Sequence, residues 1–414
     1  MSRLEVRLSI SEGDQRPVGD LFEDSGRLFF EYDAQFLRDP LWLSPFKLPP
    51  RPGLIEHRER DFGPIFGLFD DSLPDGWGLL LMDRFFRQQG RSPRQVSVSV
   101  LERLAYLGTR TMGALTYHPP SHLEDRDPKI LDLHDMARAS EAVMRGEAPE
   151  ILPRLFRAGG SPGGARPKVV VGVRGDEIIS GEHVLPEGFE GWMVKFPSPQ
   201  DMEEVGALEM AYADMAAVAG VEMPETRLFT TTQGDRFFGV RRFDREGRRR
   251  IHVHTFGNLI HADFRLPSCD YQDLLNVTRR LTRRQADVSQ CFRRAAFNVA
   301  ACNRDDHVKN FAFLLDSDGA WRPTPAYDLV YAEGPGGEHT TSIVGEGRTP
   351  ARHHLLRLAE ASGLEKSEAE EIIDEVVAAV SSFEGHARRL DVPSSVRREV
   401  CQALARSLKR LDQA

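Results

Sequence analysis

The chain has 414 residues, is 40% hydrophobic and 28% charged, and carries a formal net charge of −9. That length leaves room for two or three units with substantial cores, and the negative balance argues against nucleic acid as the main direct partner. No apolar run approaches the ~20 residues of a transmembrane helix, and Met1-Ser2-Arg3-Leu4-Glu5 lacks the apolar core of a signal peptide. Cys269, Cys291, Cys302 and Cys401 are scattered, without a Cys-x-x-Cys pair, and read as thiols of a reducing cytoplasm.

Leu4, Val6, Leu8 and Ile10 alternate with polar residues, the period of a half-buried strand. Arg16-Pro17-Val18-Gly19 predicts a turn and Arg27–Tyr32 a further strand. Leu73-Pro74-Asp75-Gly76-Trp77-Gly78 then leads into an apolar helix from Leu79 to Phe86. Residues 1–110 are therefore expected to form a small mixed α/β module. Asp61-Phe62-Gly63 spells the metal-binding triplet of protein kinases but precedes any candidate nucleotide lysine, so it reads as a turn. In the same way His261-Ala262-Asp263 is followed five residues later by Ser268, not asparagine.

Residues 111–250 carry a second set of signals. A helical pattern runs from Ile130 to Arg145. The glycine-rich stretch Ala158–Lys168 follows, then the strand Val169–Val173. Glycines let backbone amides approach phosphate oxygens, although a surface linker has the same composition. Trp192-Met193-Val194-Lys195-Phe196-Pro197 is an apolar strand with one lysine. A buried lysine needs an anion; an edge strand with the lysine outward is the alternative. The next helix has apolar residues at Leu208, Ala211, Tyr212, Met215 and Val218, and Glu209 stands beside them within reach of Lys195. A strand lysine paired with a helix glutamate is how protein kinases position nucleotide phosphates. Phe237–Arg245 would be the strand and hinge between two lobes. Arg248–Arg250 and Arg279, Arg280, Arg283 and Arg284 read as solvated faces. His252 and His254 lack partners at metal-ligand spacing.

Residues 251–414 turn helical. Thr282-Arg283-Arg284-Gln285 reads as a capping box, and the helix after it delivers Asn303-Arg304-Asp305-Asp306-His307-Val308-Lys309-Asn310. An apolar strand, Phe311–Leu315, ends in the turn Asp316-Ser317-Asp318-Gly319. A return strand through Trp321 would bring Asp328 back beside Asn310. Phosphoryl transfer needs one carboxylate to accept the hydroxyl proton, with an amide oxygen and a second carboxylate to hold magnesium. Three further helices are expected: Ala351 to Ala361, the capping box Ser367-Glu368-Ala369-Glu370 to Phe383, and Ser395 to Leu411. The expected fold is α+β and bilobal, protein-kinase-like, with an additional N-terminal α/β module and a helical C-terminal lobe.

These motifs, taken in order, resemble the HipA-like serine/threonine kinases, toxins of bacterial type II toxin–antitoxin systems. The resemblance rests on Leu73–Trp77, Gly164-Ala165-Arg166-Pro167-Lys168, Met193–Pro197, Arg242-Phe243-Asp244-Arg245, Asp305–Asn310 and Pro325-Ala326-Tyr327-Asp328-Leu329. It implies ATP- and Mg2+-dependent transfer to protein hydroxyls, for example on an aminoacyl-tRNA synthetase, in the cytoplasm and without a membrane partner. It also implies restraint by a helix-turn-helix antitoxin, with operator DNA reached only through that complex. By position, Asp305 and Lys309 would be catalytic, and Asn310 and Asp328 would hold metal. Ser161, Gly163, Gly164, Lys195, Glu209, Arg241, Phe243 and Tyr327 would bind nucleotide, and autophosphorylation at Ser161 would switch the enzyme off. Arg241 stands where some members carry glutamate, and Pro162 stiffens the loop after Ser161. A small-molecule kinase and a non-catalytic antitoxin-binding co-repressor are the competing readings.

Overall fold

Alternating burial of Leu4, Val6 and Leu8 seats the first strand against the core. The computed structural model describes residues 2–412 except 12, 60, 89–97, 122–129, 148–154, 156–157, 159–162 and 203. Strands β1 (Ser2–Ser11), β2 (Asp14–Asp24), β3 (Arg27–Tyr32), β4 (Leu54–Glu56) and β5 (Leu115–His118) form an antiparallel sheet in the order β4-β3-β2-β1-β5. Arg16–Gly19, expected as a turn, lies inside β2. Gly19 pairs with Val6 and Pro17 with Arg7, so Val18 is the extra residue of a bulge, which accommodates the proline within the strand. The sheet also draws in β5, which lies past residue 110, the expected end of the N-terminal module.

Helices α1 (Gly67–Asp70), α2 (Gly76–Gln88), α3 (Val100–Leu107) and α4 (Leu133–Arg145) lead to a second antiparallel sheet. It contains β6 (Lys168–Arg174), β7 (Glu177–Ser180), β8 (Glu190–Lys195), β9 (Thr226–Thr230) and β10 (Arg236–Arg241), ordered β7-β6-β8-β10-β9. Trp77, Leu81, Met82 and Phe86 of α2 share a core with Val169, Val171, Trp192 and Val194. Helix α5 (Val205–Val218) instead joins the larger core, where Leu208 and Tyr212 meet the C-terminal helices.

After a short hairpin of β11 (Arg245–Glu246) and β12 (Arg249–Arg250), the chain forms a small sheet ordered β13-β14-β15 (His252–Thr255, Ala312–Leu315, Trp321–Pro323). It packs with α6 (Phe256–Ile260), α7 (Tyr271–Thr282) and α8 (Gln285–Ala300), then α9 (Arg352–Ala361), α10 (Lys366–Ser381), α11 (Phe383–Arg389) and α12 (Ser394–Asp412). A strand-rich lobe followed by a helical one gives the bilobal, kinase-like α+β fold. Two capping expectations fail. Thr282 belongs to α7, Arg283 ends that helix at φ +58°, and α8 starts from Arg284 without a side-chain cap. Helix α10 likewise starts one residue before Ser367, with no side-chain cap. Side-chain capping boxes do form at Ser99/Glu102 and Asp270/Asp273. No described helix is long and apolar enough to cross a membrane.

The junction after β10 is held by a buried ion cluster. The Asp244 carboxylate accepts from Arg242 at 2.9 and 2.7 Å, from Arg245 at 2.6 Å and from the Gly113 amide at 2.8 Å. Arg250, expected to be solvated with its neighbours, donates to the carbonyls of Thr109, Thr111 and Gly113. The cluster thus ties the hinge to the loop between α3 and β5. Burial alone would raise the Asp244 pKa, but Arg242 and Arg245 outweigh it and hold the carboxyl far below the usual range. Its charge therefore contributes stability above the unfolded-state pKa, and that contribution is lost as pH falls below about 4. Asp244→Asn should cost about 3–5 kcal/mol near neutral pH, because it strands buried guanidinium groups. Denaturant titrations across a pH series test this. A difference below about 1 kcal/mol, or one that does not shrink on acidification, would contradict it.

Candidate active site

The site is built where β6 and β8 run side by side. Lys168 lies opposite Lys195 in the register, so both ammonium groups sit on one face of the sheet. Lys195 Nζ donates to Glu209 Oε1 from α5 and to Asp328 Oδ1 from the segment after β15. The side chains of Lys195 and Glu209 are only 9% and 4% exposed. Burial disfavours the Lys195 charge, yet Asp328 and Glu209 outweigh it and its pKa is pushed up to about 12. Asp328, despite its own burial, is held far below the carboxylate range by Lys195 and Lys168. The pK of Lys168 is lowered, chiefly by burial, with Asp328 opposing. Sequence reasoning missed Lys168 as a site residue. Its signal was a lysine opening an apolar strand that has to pair with the Lys195 strand.

The loop after α8 supplies the opposite wall. Neighbouring aspartates take opposite roles there. Asp306 is buried and accepts from Tyr271 Oη at 2.7 Å, His339 Nδ1 at 2.8 Å and the Thr340 amide at 2.9 Å. Asp305 faces the open side. Its pKa is raised, mainly by desolvation; His307 opposes, while the Asp328 and Asp306 carboxylates add to the rise. Asn310 Nδ2 donates to Asp305 O at 2.6 Å, which fixes the amide and leaves its oxygen as an acceptor. Asp328 has φ +54°, a rare conformation for a residue with a side chain. Asn303 Nδ2 reaches its carbonyl at 3.4 Å and also bonds Asn298 at 3.0 Å.

The remaining expected residues fall in different environments. Tyr327 is half-buried, and its hydroxyl donates to Lys309 O at 2.7 Å, so it braces the loop after α8. Phe243 packs against it at 5.6 Å between ring centres. Arg294, beneath, donates to Asn310 O and lies over the Tyr327 ring at 5.4 Å. Arg241 turns to Glu190 at 2.8 Å and Glu225 at 3.5 Å. Gly163 and Gly164 lie against Lys168, whose Nζ donates to Gly163 O. Lys309 does not meet Asp305; it donates to Asp70 Oδ2 at 2.9 Å and lies 3.8 Å from Asp75. Neither aspartate was singled out in the sequence as a site residue. Ser161 lies outside the described residues.

A carboxylate and an amide oxygen are what the protein contributes to magnesium when phosphates and water complete the shell. Asp328 and Asn310 fit that role. Among the described residues no three His, Cys, Asp or Glu side chains converge to hold a metal by themselves.

Comparison with known proteins gives the same architecture. Residues 12–118 match the model of the HipA N-terminal domain, and residues 160–383 match that of the HipA-like C-terminal domain. "Putative kinase Y4mE" of Sinorhizobium fredii is 28% identical over 353 residues, covering 77% of this chain and 75% of the relative. "Putative kinase Y4dM" of the same organism is 27% identical over 179 residues, 39% of this chain and 43% of that protein's length. The fold is that of HipA from Shewanella oneidensis MR-1, solved with HipB and its operator DNA. The TM-score is 0.70 at 18% identity, covering 98% of this chain and 96% of that one. With a family model spanning residues 160–383 and its N-terminal companion alongside, the chain belongs to the HipA family.

Proposed function

We propose that the chain is an ATP- and Mg2+-dependent serine/threonine protein kinase that acts as the toxin of a toxin–antitoxin pair. The observation that carries this is the buried Lys195 ammonium held between Glu209 and Asp328, with Asp305 and Asn310 on the facing loop. Binding alone would not need two buried lysines beside a cleft with a carboxylate whose pKa is raised. Lys195 and Lys168 would hold phosphate oxygens, and Glu209 would orient Lys195. Asp305, its pKa raised, would take the proton of the attacking hydroxyl. Magnesium, held by Asp328 and Asn310, would neutralise charge on the transferring phosphate.

Family membership and the two kinase-named relatives support the phosphotransferase reading. The HipA of Shewanella oneidensis, solved with HipB and operator DNA, supports a small helix-turn-helix antitoxin as partner, with DNA reached through it. The substrate would be a cytoplasmic translation component such as an aminoacyl-tRNA synthetase. Phosphate placed on Ser161 would bring about −1.5 to −2 charges to the glycine-rich loop, repel nucleotide and close the activity down.

Asp305→Asn should keep Mg-ATP binding while lowering phosphate transfer by about a hundredfold or more. Phosphoproteomics after induced expression, set against this variant, reads both rate and substrate class. Transfer at the parental rate would remove Asp305 from its role. Phosphate found only on small metabolites would overturn the protein-kinase reading. For the loop, intact-mass analysis after Mg-ATP incubation should find one phosphate on the parent at Ser161 and none there in Ser161→Ala or Asp305→Asn. A phosphate mapping elsewhere would contradict the off-switch.

A further inference from the structure

The stretch Gly67–Trp77 of the N-terminal module touches both lobes. Toward the helical lobe, a Cβ on Gly67 would collide with Asn258 O. Asp70 there accepts from Lys309 Nζ at 2.9 Å and Asn258 Nδ2 at 3.0 Å. Asp71 accepts from the Thr255 amide at 2.8 Å, its hydroxyl at 2.7 Å and Asn258 Nδ2 at 2.7 Å. Toward the strand-rich lobe, Asp75 Oδ1 accepts the Gly164 amide. Trp77 N donates to Gly164 O at 3.0 Å and Trp77 Nε1 to Lys168 O at 3.2 Å. Gly76, at φ +41°, permits this approach, since a Cβ there would lie 2.6 Å from Gly164 O. Asp75 stands between the two sides, its second oxygen 3.8 Å from Lys309 Nζ.

We propose that this stretch is a strap that sets the gap between residues 163–168 and the loop after α8. Asp75 is its positioning residue, bridging the Gly164 amide and the Lys309 ammonium. The proposal rests on the kinase reading above. In a two-lobed enzyme joined only at a hinge, closure is a soft motion, and each productive encounter has to restrict it. A second tether across the cleft mouth fixes the two loops beforehand, so less ordering is left for nucleotide binding to drive. Lys309 suits the role because its ammonium lies within ion-pair distance of both Asp70 and Asp75.

Asp75→Asn, Asp75→Ala and Asp70→Asn test the strap, read by amide hydrogen exchange of the ligand-free protein, Mg-ATP affinity and thermal unfolding. In Asp75→Asn, exchange over residues 163–168 and 73–78 should accelerate and the Kd for Mg-ATP should rise about tenfold, the worth of a lost charge-assisted bond. The unfolding midpoint should move by only a few degrees. Unchanged exchange and affinity would overturn the strap. A lower midpoint with parental affinity in the folded protein would overturn positioning and leave a packing role. A parent protein that binds no Mg-ATP would bring down the kinase reading, and this proposal with it.

Discussion

Everything at the site depends on keeping one ammonium charged where water is scarce. Moving such an ion out of water costs several kcal/mol even after relaxation. Lys195 is stabilised there only because two carboxylates arrive from separate parts of the chain. Glu209 requires α5 to dock with its N-terminal half against the strand-rich lobe. Asp328 requires the chain to return from β15 and adopt a left-handed backbone, supported by the buried Asn303 amide. The ion pair thus joins α5, the second sheet and the segment after β15, and none of them can shift alone without stranding a charge.

Around that pair the charges are sorted by role. Lys168 and Lys195 sit side by side, with the Glu209 and Asp328 carboxylates closed on Lys195. Arg166, bonded to Asp201 at 2.9 Å, lies 3.9 Å from Glu209 at its edge. The acids that do not face this cleft are bound into the frame. Asp306 anchors the segment around His339–Thr341, Asp244 ties down the hinge, and Asp70 and Asp71 dock the N-terminal module. Asp305 is the exception. It stays on the open side, and its pKa is raised, with the neighbouring Asp328 and Asp306 carboxylates adding to the rise, which makes it a better proton acceptor.

Much of this geometry was legible because the groups lie in short spacings on strongly patterned elements. Lys195 and Glu209 are fourteen residues apart, on an apolar strand and the following helix, so their meeting follows from local structure. Asn310 and Asp328 flank a hairpin whose turn chemistry is explicit in Asp316–Gly319. What was not legible depends on long-range packing. The contact of Asp75 with Gly164 spans 89 residues, and that of Lys309 with Asp70 spans 239, and nothing local specifies either. Lys309 was accordingly grouped with the catalytic base, whereas its ammonium turns to the N-terminal module. The same holds for β5, a four-residue strand assigned to its sheet only by pairing with β1. The bulge at Pro17–Gly19 misled for a different reason: proline and glycine punctuate turns, but an extra residue in a ladder accommodates them equally well.

The central claim is that Lys195, Asp328 and Asn310 form a phosphate site completed by a divalent cation. Calorimetric titration of ATP with and without Mg2+, on the parent and on Asp328→Asn, tests it most directly. The account predicts tight binding to the parent only with Mg2+, and in the variant loss of most of that dependence, because the metal loses its carboxylate. Equal affinity for ATP with and without Mg2+ in the parent, or an unchanged Mg2+ dependence in the variant, would contradict it.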